Sequence, residues 1–571
     1  MKRRDFLLAG AAAWVVAPAV AHGHSGHDHG KAGMPAKPEL LEGNPFEDLS
    51  PLANESVAPG LFEAQLRAGP ATVRYLPGVE TPVLAYNDLC PGPMIEATEG
   101  DRVRIDFRNG IPGQPSTIHW HGMQVPADQD GNPQDIVASG SGRFYEFTLP
   151  EGSAGSYWYH PHPHGLTAEQ FYRGLNGVFL VKPKVDPIPA AYGDTVLFMT
   201  DLRLAADGTM PPSTPADMMN GRVGDHVLVN GQKNPLLVVS AGTRRRFRLY
   251  NAMNGRYLRL TFGDAAMTVI GTDGGLLEAP VPGVSEVLLV PGERMEVVVA
   301  FDQPGTATLR TLPYDRGWMG PGVPDDGDMA LLTVAVTAAT APAEMPPLPA
   351  VLRSIPALGA PVVTRRFEFG EVMPGHMHHG AGHGMATMAA GAKPVDAAAG
   401  GAATMTGMAG HDHGAMMAKS PAAETKAMPA MGGHDHAAMT EAGKGMAATG
   451  NPPDPGMGMA FQINGKTFDM HRVDIRPKVG DVELWEIVNP TDMDHPFHVH
   501  GTQFQIVEFE DARGVRKPPY RAWKDVVNVR PGETARFLIR QDMPGLRLYH
   551  CHILEHGQLG MMANAEVVAV G

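Results

Sequence analysis

Hydrophobic and polar positions alternate along much of this chain with the period of a half-buried strand. Val103, Ile105 and Phe107 are separated by charged residues, and Tyr145, Phe147 and Leu149 by polar ones. Successive side chains of a strand face opposite sides, so each run lays one apolar row on a core and one polar row in water. Val287 to Val290 and Val297 to Phe301 are continuously apolar, with the turn Pro291-Gly292-Glu293 between them. From about 61 to 340 such runs follow one another between Gly and Pro, with no long amphipathic helix pattern. This predicts an all-β chain of β-sandwich domains.

Two proline-rich stretches, 183–190 and 339–361, divide the pattern into three domains, expected at 61–185, 190–340 and 362–571. A His-rich segment and linker, 22–60, precedes them. The third domain is interrupted at 373–459, where the chain is mostly Ala, Gly, Met and His, with His-Asp-His at 411–413 and again at 434–436. Such a composition cannot bury a core and predicts a flexible insertion. Arg366-Phe367-Glu368-Phe369 and Phe461-Gln462-Ile463 flank it and alternate like paired strands, so the insertion is expected at a hairpin tip.

The first residues read as an address rather than as fold. Lys2, Arg3 and Arg4 precede a mostly apolar run from Leu7 to Ala21, shorter than the about 20 residues that span a bilayer. Ala19-Val20-Ala21 forms an A-x-A cleavage signal. Arg3-Arg4 followed by Asp5, Phe6 and Leu7 resembles a twin-arginine signal, which exports folded proteins. A signal anchor or a general secretory signal is the alternative. Residues 1–21 are thus the expected signal peptide, and the periplasm the expected location. Cleavage removes three cations and one anion and takes the net charge from -15 to -17. The new N-terminus reads His-Gly-His-Ser-Gly-His-Asp-His from His22, a stretch able to bind a transition metal weakly. Without another long apolar run, no membrane association is expected after cleavage.

A length of 571 residues suits about three or four domains. A net charge of -15 lacks the basic footprint that nucleic-acid binding needs. It suits attraction of cations, although many solvated surfaces are acidic without that role. Two cysteines, Cys90 and Cys551, are too few for a disulfide framework. Cys90 is expected to be a small buried side chain.

Chemistry concentrates in four short runs: His119-Trp120-His121; His160-Pro161-His162-Pro163-His164; His495-Pro496-Phe497-His498-Val499-His500; and His550-Cys551-His552, continuing to His556 and Met561. On a strand, each His-x-His pair presents two imidazoles from one face. Four pairs supply eight ligands, enough for a multinuclear centre. In the last pair, Cys551 points the opposite way from His550 and His552, so one peptide touches two metal sites. Two His, one Cys and a weak axial Met form the blue-copper arrangement, and His495, Cys551, His556 and Met561 supply that set. Isolated His-x-His pairs are often incidental, and His164 reads as a neighbour rather than a ligand. Zinc also takes His and Cys, but its structural sites favour more thiolates.

In this order, the runs match the ligand signature of the multicopper oxidases over nearly the whole mature chain. Blocks 85–181 and 484–568 resemble most the bacterial cuprous oxidases of the copper-efflux type, through "HWHG", "WYHPHPHG", "HPFHVHGTQFQI" and "HCHILEH" with its following "GMM". That resemblance implies three cupredoxin-like Greek-key domains, four copper ions and reduction of O2 to water. It implies a type 1 copper on His495, Cys551, His556 and Met561 and a type 2 copper on His119 and His498. The type 3 pair falls to His121, His160, His162, His500, His550 and His552. The second domain carries no motif and is expected to act as a spacer. Asp130, in "DQDGNPQ", is similar to the family's acidic residue near the cluster, which implies a proton relay; a turn-forming Asp before Gly131 is the other reading. Where some relatives carry a second acid, after the type 1 His, this chain has Gly557-Gln558.

Copper(I) is soft and prefers thioethers, and the insertion interleaves Met373, Met377, Met385, Met388, Met405 and Met408 with His. Relatives use such a segment to admit cuprous ions and to hinder bulky organic substrates. A substrate-copper site is expected beside His495 from Asp492, Met493 and Asp494, completed by Glu371 and Met373. This stretch is one residue shorter than the family pattern, and Asp492 and Asp494 also suit a turn cap. The expected activity is oxidation of Cu(I) by a monomer, serving copper tolerance. A laccase acting on phenols and a copper-sequestering protein on the same scaffold are the alternatives.

Overall fold

Alternation does organise the first sandwich. Strand Arg102–Asn109 buries Val103, Ile105 and Phe107 on one face. It pairs antiparallel with Gly142–Thr148, setting Val103 opposite Phe147 and Ile105 opposite Tyr145. Each such side chain taken out of water contributes about 1.5–3 kcal/mol. The structure is a computed structural model and describes residues 38–320, 323–324, 327–339, 345–372 and 458–569.

Its strands form three pairs of sheets. Leu61–Leu76 lies in a four-stranded sheet over a second one that contains Gly155–His160 and His119–His121. A six-stranded and a five-stranded sheet follow over 195–337, and a six-stranded and a four-stranded sheet over 363–567. Each pair encloses its own apolar core. One connection recurs. Leu61–Leu76 runs parallel to Arg102–Asn109, Thr195–Leu202 to Thr243–Asn251, and Val363–Val372 to Val482–Asn489. Parallel neighbours cannot be joined by a tight hairpin, so the chain crosses to the opposite sheet between them. The fold class is the all-β, three-sandwich architecture expected.

The flanks of the insertion pair as their alternation predicts, Phe369 opposite Ile463 and Val372 opposite Ala460. Met373 and the rest of 373–457 lie outside the described residues, as do the signal at 1–21 and the His-rich start to residue 37. Among the described residues, no helix is long and apolar enough to cross a membrane.

Three stretches differ from their sequence reading. Residues from 43 to 52 are a strap: Gly43 and Phe46 donate to Asn234 and Leu236 of the second sandwich, and Leu52 to Met94 of the first. The stretch after 344 is not a loose linker, because Leu352 and Ile355 are buried and Leu352 donates to the Glu278 carbonyl. Cys90 is only partly buried, its sulfur 3.6 Å from the Tyr75 hydroxyl.

Candidate metal centres

Strands His495–Val499 and Gly545–Cys551 pair antiparallel in the third sandwich, with Phe497 opposite Cys551 and His498 opposite His550. Alternation therefore sends the Cys551 sulfur into the core that also holds Met561 and turns the neighbouring imidazoles outward. Helix Leu554–Gln558 carries His556 back to the sulfur.

Three donor atoms meet there. Cys551 Sγ lies 3.5 Å from His495 Nδ1 and 3.8 Å from His556 Nδ1, and the two nitrogens are 3.3 Å apart. A triangle of that size seats an ion about 2 Å from each corner, the length of a metal–nitrogen bond. The opposite edge of each ring is occupied. His556 Nε2 donates to the Met219 carbonyl at 2.9 Å, and His495 Nε2 lies 2.9 Å from Thr491 Oγ1. The His556 tautomer is thereby set, with the Nδ1 lone pair facing the sulfur. Met561 is fully buried, and its carbonyl accepts from the Cys551 amide. Burial pushes the thiol well above its ordinary range, so a thiolate here needs a cation beside it.

The second centre draws on two sandwiches. His119, His121, His160 and His162 come from the first; His498, His500, His550 and His552 come from the third. All eight are buried. His119 Nε2 faces His498 Nε2 at 3.4 Å. His550 Nε2 faces His162 Nε2 at 3.3 Å and His500 Nε2 at 3.1 Å. His121, His160 and His552 form the remaining group, with the His552 ring 4.8 and 5.8 Å from the other two.

For His119 and His498 the tautomers show that the contact is not a hydrogen bond. His119, His498 and His550 each turn Nδ1 to a backbone carbonyl, of Asp130, Asp525 and Cys551, at 3.1, 2.8 and 2.9 Å. A carbonyl only accepts, so each Nδ1 carries the proton and each Nε2 a lone pair. Between His119 and His498 lone pairs then face one another, an arrangement that a cation between them satisfies. His160 Nε2, His121 Nδ1 and both nitrogens of His552 are buried without a hydrogen-bond partner. Burial, reinforced by the neighbouring imidazoles, holds most of these histidines well below their ordinary pKa and His550 at about 4. They are neutral and ready to ligate.

Two carboxylates support the cluster. Asp130 is fully buried, with its oxygens 3.1 Å from His119 Nδ1 and 3.4 Å from His500 Nδ1. Asp525, which the sequence did not single out, lies 3.1 Å from His121 Nε2. The second sandwich is more than a spacer. It supplies the Met219 carbonyl to His556 and Arg294 to Asp525, and a side chain on Gly292 would meet the His552 ring at 3.0 Å.

Of the expected substrate-copper residues, Met373 lies outside the described residues, and the other four differ in their surroundings. Glu371 Oε1 sits 3.5 Å from His495 Nε2 and has no hydrogen-bond partner. Asp492 is exposed, but Met493 and Asp494 are buried. The Asp494 carboxyl accepts from the Tyr314 hydroxyl and the Asn528 amide, both at 2.7 Å, and burial pushes it up to about 6. His164 packs on Phe468 and joins none of the ligand groups.

Models of the multicopper oxidase family match residues 67–186, 199–311 and 438–569. The multicopper oxidase mco of Staphylococcus epidermidis is 26% identical over 494 residues, covering 85% of this chain and 83% of that protein. A laccase of Bacillus stratosphericus is 25% identical over 549 residues, covering 86% and 91%. The structure of a multicopper oxidase from Campylobacter jejuni, described as a metallo-oxidase, superposes with a TM-score of 0.74 at 32% identity, covering 93% of this chain and 96% of that one. Family match and buried donor sets agree: this chain belongs to the multicopper oxidases and is an oxidase with type 1, type 2 and type 3 copper sites.

Proposed function

We propose that this oxidase takes its electrons from Cu(I), in the periplasm, and so serves copper tolerance. The observation that carries the reading is where the Met/His-rich segment leaves and re-enters the fold. It departs just after Glu371, whose oxygen lies 3.5 Å from His495 Nε2. It returns just before Phe461, whose ring stacks on His556 with centroids 4.0 Å apart. Residues that flank a stretch rich in soft thioether donors thus abut the two imidazoles of the type 1 set, where electrons enter. The twin-arginine-like start, through Arg3 and Arg4, supports export.

On this reading His495, Cys551, His556 and Met561 would hold the type 1 copper, His119 and His498 the type 2, and the other six imidazoles the type 3 pair. Copper bound there would supply one-electron chemistry for the reduction of O2. Cys551 joins the two centres, since its sulfur belongs to one and the imidazoles on either side of it to the other. Asp130 holds His119 and His500 and is placed to pass protons toward the cluster. The buried walls exclude bulk water from both centres.

Comparing turnover of Cu(I) and of a bulky phenol, before and after removal of 373–459, tests the reading. Loss of Cu(I) oxidation with a gain on the phenol is expected. High phenol turnover that the deletion leaves unchanged would favour a laccase, the name carried by the Bacillus relative.

A further inference from the structure

We infer that Asp525 and Arg294 form a clasp that positions two copper-binding imidazoles from different sandwiches and fixes which nitrogen of His121 is left for the metal. The inference rests on the assignment of His121 and His498 as ligands.

Asp525 precedes strand Val526–Val529 of the third sandwich and is completely buried. Its backbone carbonyl accepts from His498 Nδ1 at 2.8 Å, which turns Nε2 of that ring to the cluster. Its side-chain oxygen Oδ1 lies 3.1 Å from Nε2 of His121, in the first sandwich. A buried carboxylate accepts, so His121 carries its proton on Nε2 and leaves Nδ1 with the lone pair. That Nδ1 is buried and has no hydrogen-bond partner. His121 is thus set opposite to His119, His498 and His550, each of which leaves Nε2 free.

A carboxylate so placed needs a countercharge. Arg294 supplies it as a fork, Nη1 to Oδ1 and Nη2 to Oδ2, both at 2.6 Å. Arg294 comes from the second sandwich, and its Nε donates to the Ser156 carbonyl of the first at 2.7 Å. The clasp therefore touches all three sandwiches beside the cluster. The backbone leaves room for it at Gly122, where a Cβ would lie within 3 Å of both Asp525 and Arg294.

The test compares wild type with Asp525→Ala and Gly122→Ala, each loaded with copper. Three readings are taken: the blue band, the near-ultraviolet band of the coupled pair, and copper kept against a chelator. Loss of an orienting partner weakens metal affinity by about 10–100-fold. In Asp525→Ala the blue band should persist, because the type 1 donors are not touched. The near-ultraviolet band should weaken, and copper should leave the histidine cluster 10–100-fold more readily. Gly122→Ala, which keeps both charged residues but displaces them, should shift the same readings in the same direction. An intact near-ultraviolet band and unchanged retention in Asp525→Ala would overturn the clasp. Wild type that held copper only at the blue site would instead fault the assignment of His121 and His498.

Discussion

Phe461 stacks on His556, the two rings 17° from parallel and 4.0 Å between centroids. The imidazole is thus held on one edge by the Met219 carbonyl and covered on one face by an aromatic side chain at the return of the Met-rich segment. Replacing Phe461 by Ala empties part of the core that surrounds Cys551, at a cost of about 3–5 kcal/mol. Denaturant unfolding should record that loss, and the blue band should shift or broaden as His556 gains freedom. An unchanged band would mean that the stacked ring does not hold the imidazole.

Cys551 is the covalent join between the centres, and serine in its place keeps the volume but not the soft anion. Cys551→Ser should lose the blue colour, bind about one copper fewer, and stop consuming dioxygen with any reductant. Elemental analysis and an oxygen electrode read both. A coloured, respiring variant would remove the route for electrons drawn above.

Asp130 touches His119 and His500 without facing the type 1 set. Asp130→Asn should leave reduction of the blue band by substrate as fast as in wild type. Return of the colour on adding dioxygen should slow by about 10²–10⁴-fold, the usual worth of a positioned proton donor. Stopped-flow measurement of the two half-reactions separates them. Slowing of both would assign Asp130 to general stability instead.

Acid should unfold the copper-free protein. Nine histidines of the two centres have folded pKa values below the ordinary one, chiefly through burial. The unfolded chain takes protons on these rings below about pH 6.5 while the folded chain refuses them. Stability is therefore fully present above that pH and falls as pH drops through it. Asp494 and Asp525, raised to about 6, and Glu555, raised to about 7, act in the opposite sense. Even with Asp135, Asp201 and Glu293, which burial also raises, they are fewer than the nine histidines. Urea midpoints between pH 8 and 5 should fall steeply, and a flat profile would mean that the cluster is charged or open to water without copper.

Much of the site was legible because its signals are local. His-x-His spacing and strand alternation are written within a few residues, and together they place eight imidazoles and one sulfur. Asp525 was not legible, since its partners His121 and Arg294 are 404 and 231 residues away and nothing near it in sequence hints at either. The role of the second sandwich was hidden for the same reason: a backbone carbonyl at Met219 and a bare α-carbon at Gly292 leave no motif. Asp492, Met493 and Asp494 show the opposite limit. They adjoin His495 in sequence, but sequence does not say which way each faces, and Asp494 is held by Tyr314, in the loop after strand Gly305–Leu312, and by Asn528, on strand Val526–Val529.

The histidine cluster is divided between sandwiches whose ligands span 119 to 552. An unfolded chain carries only separate imidazole pairs, whose preference among zinc, nickel and copper is no more than the general order of affinities. Selection by ligand number and geometry begins only when the first and third sandwiches have closed on each other, so it belongs to the finished protein and not to the nascent chain.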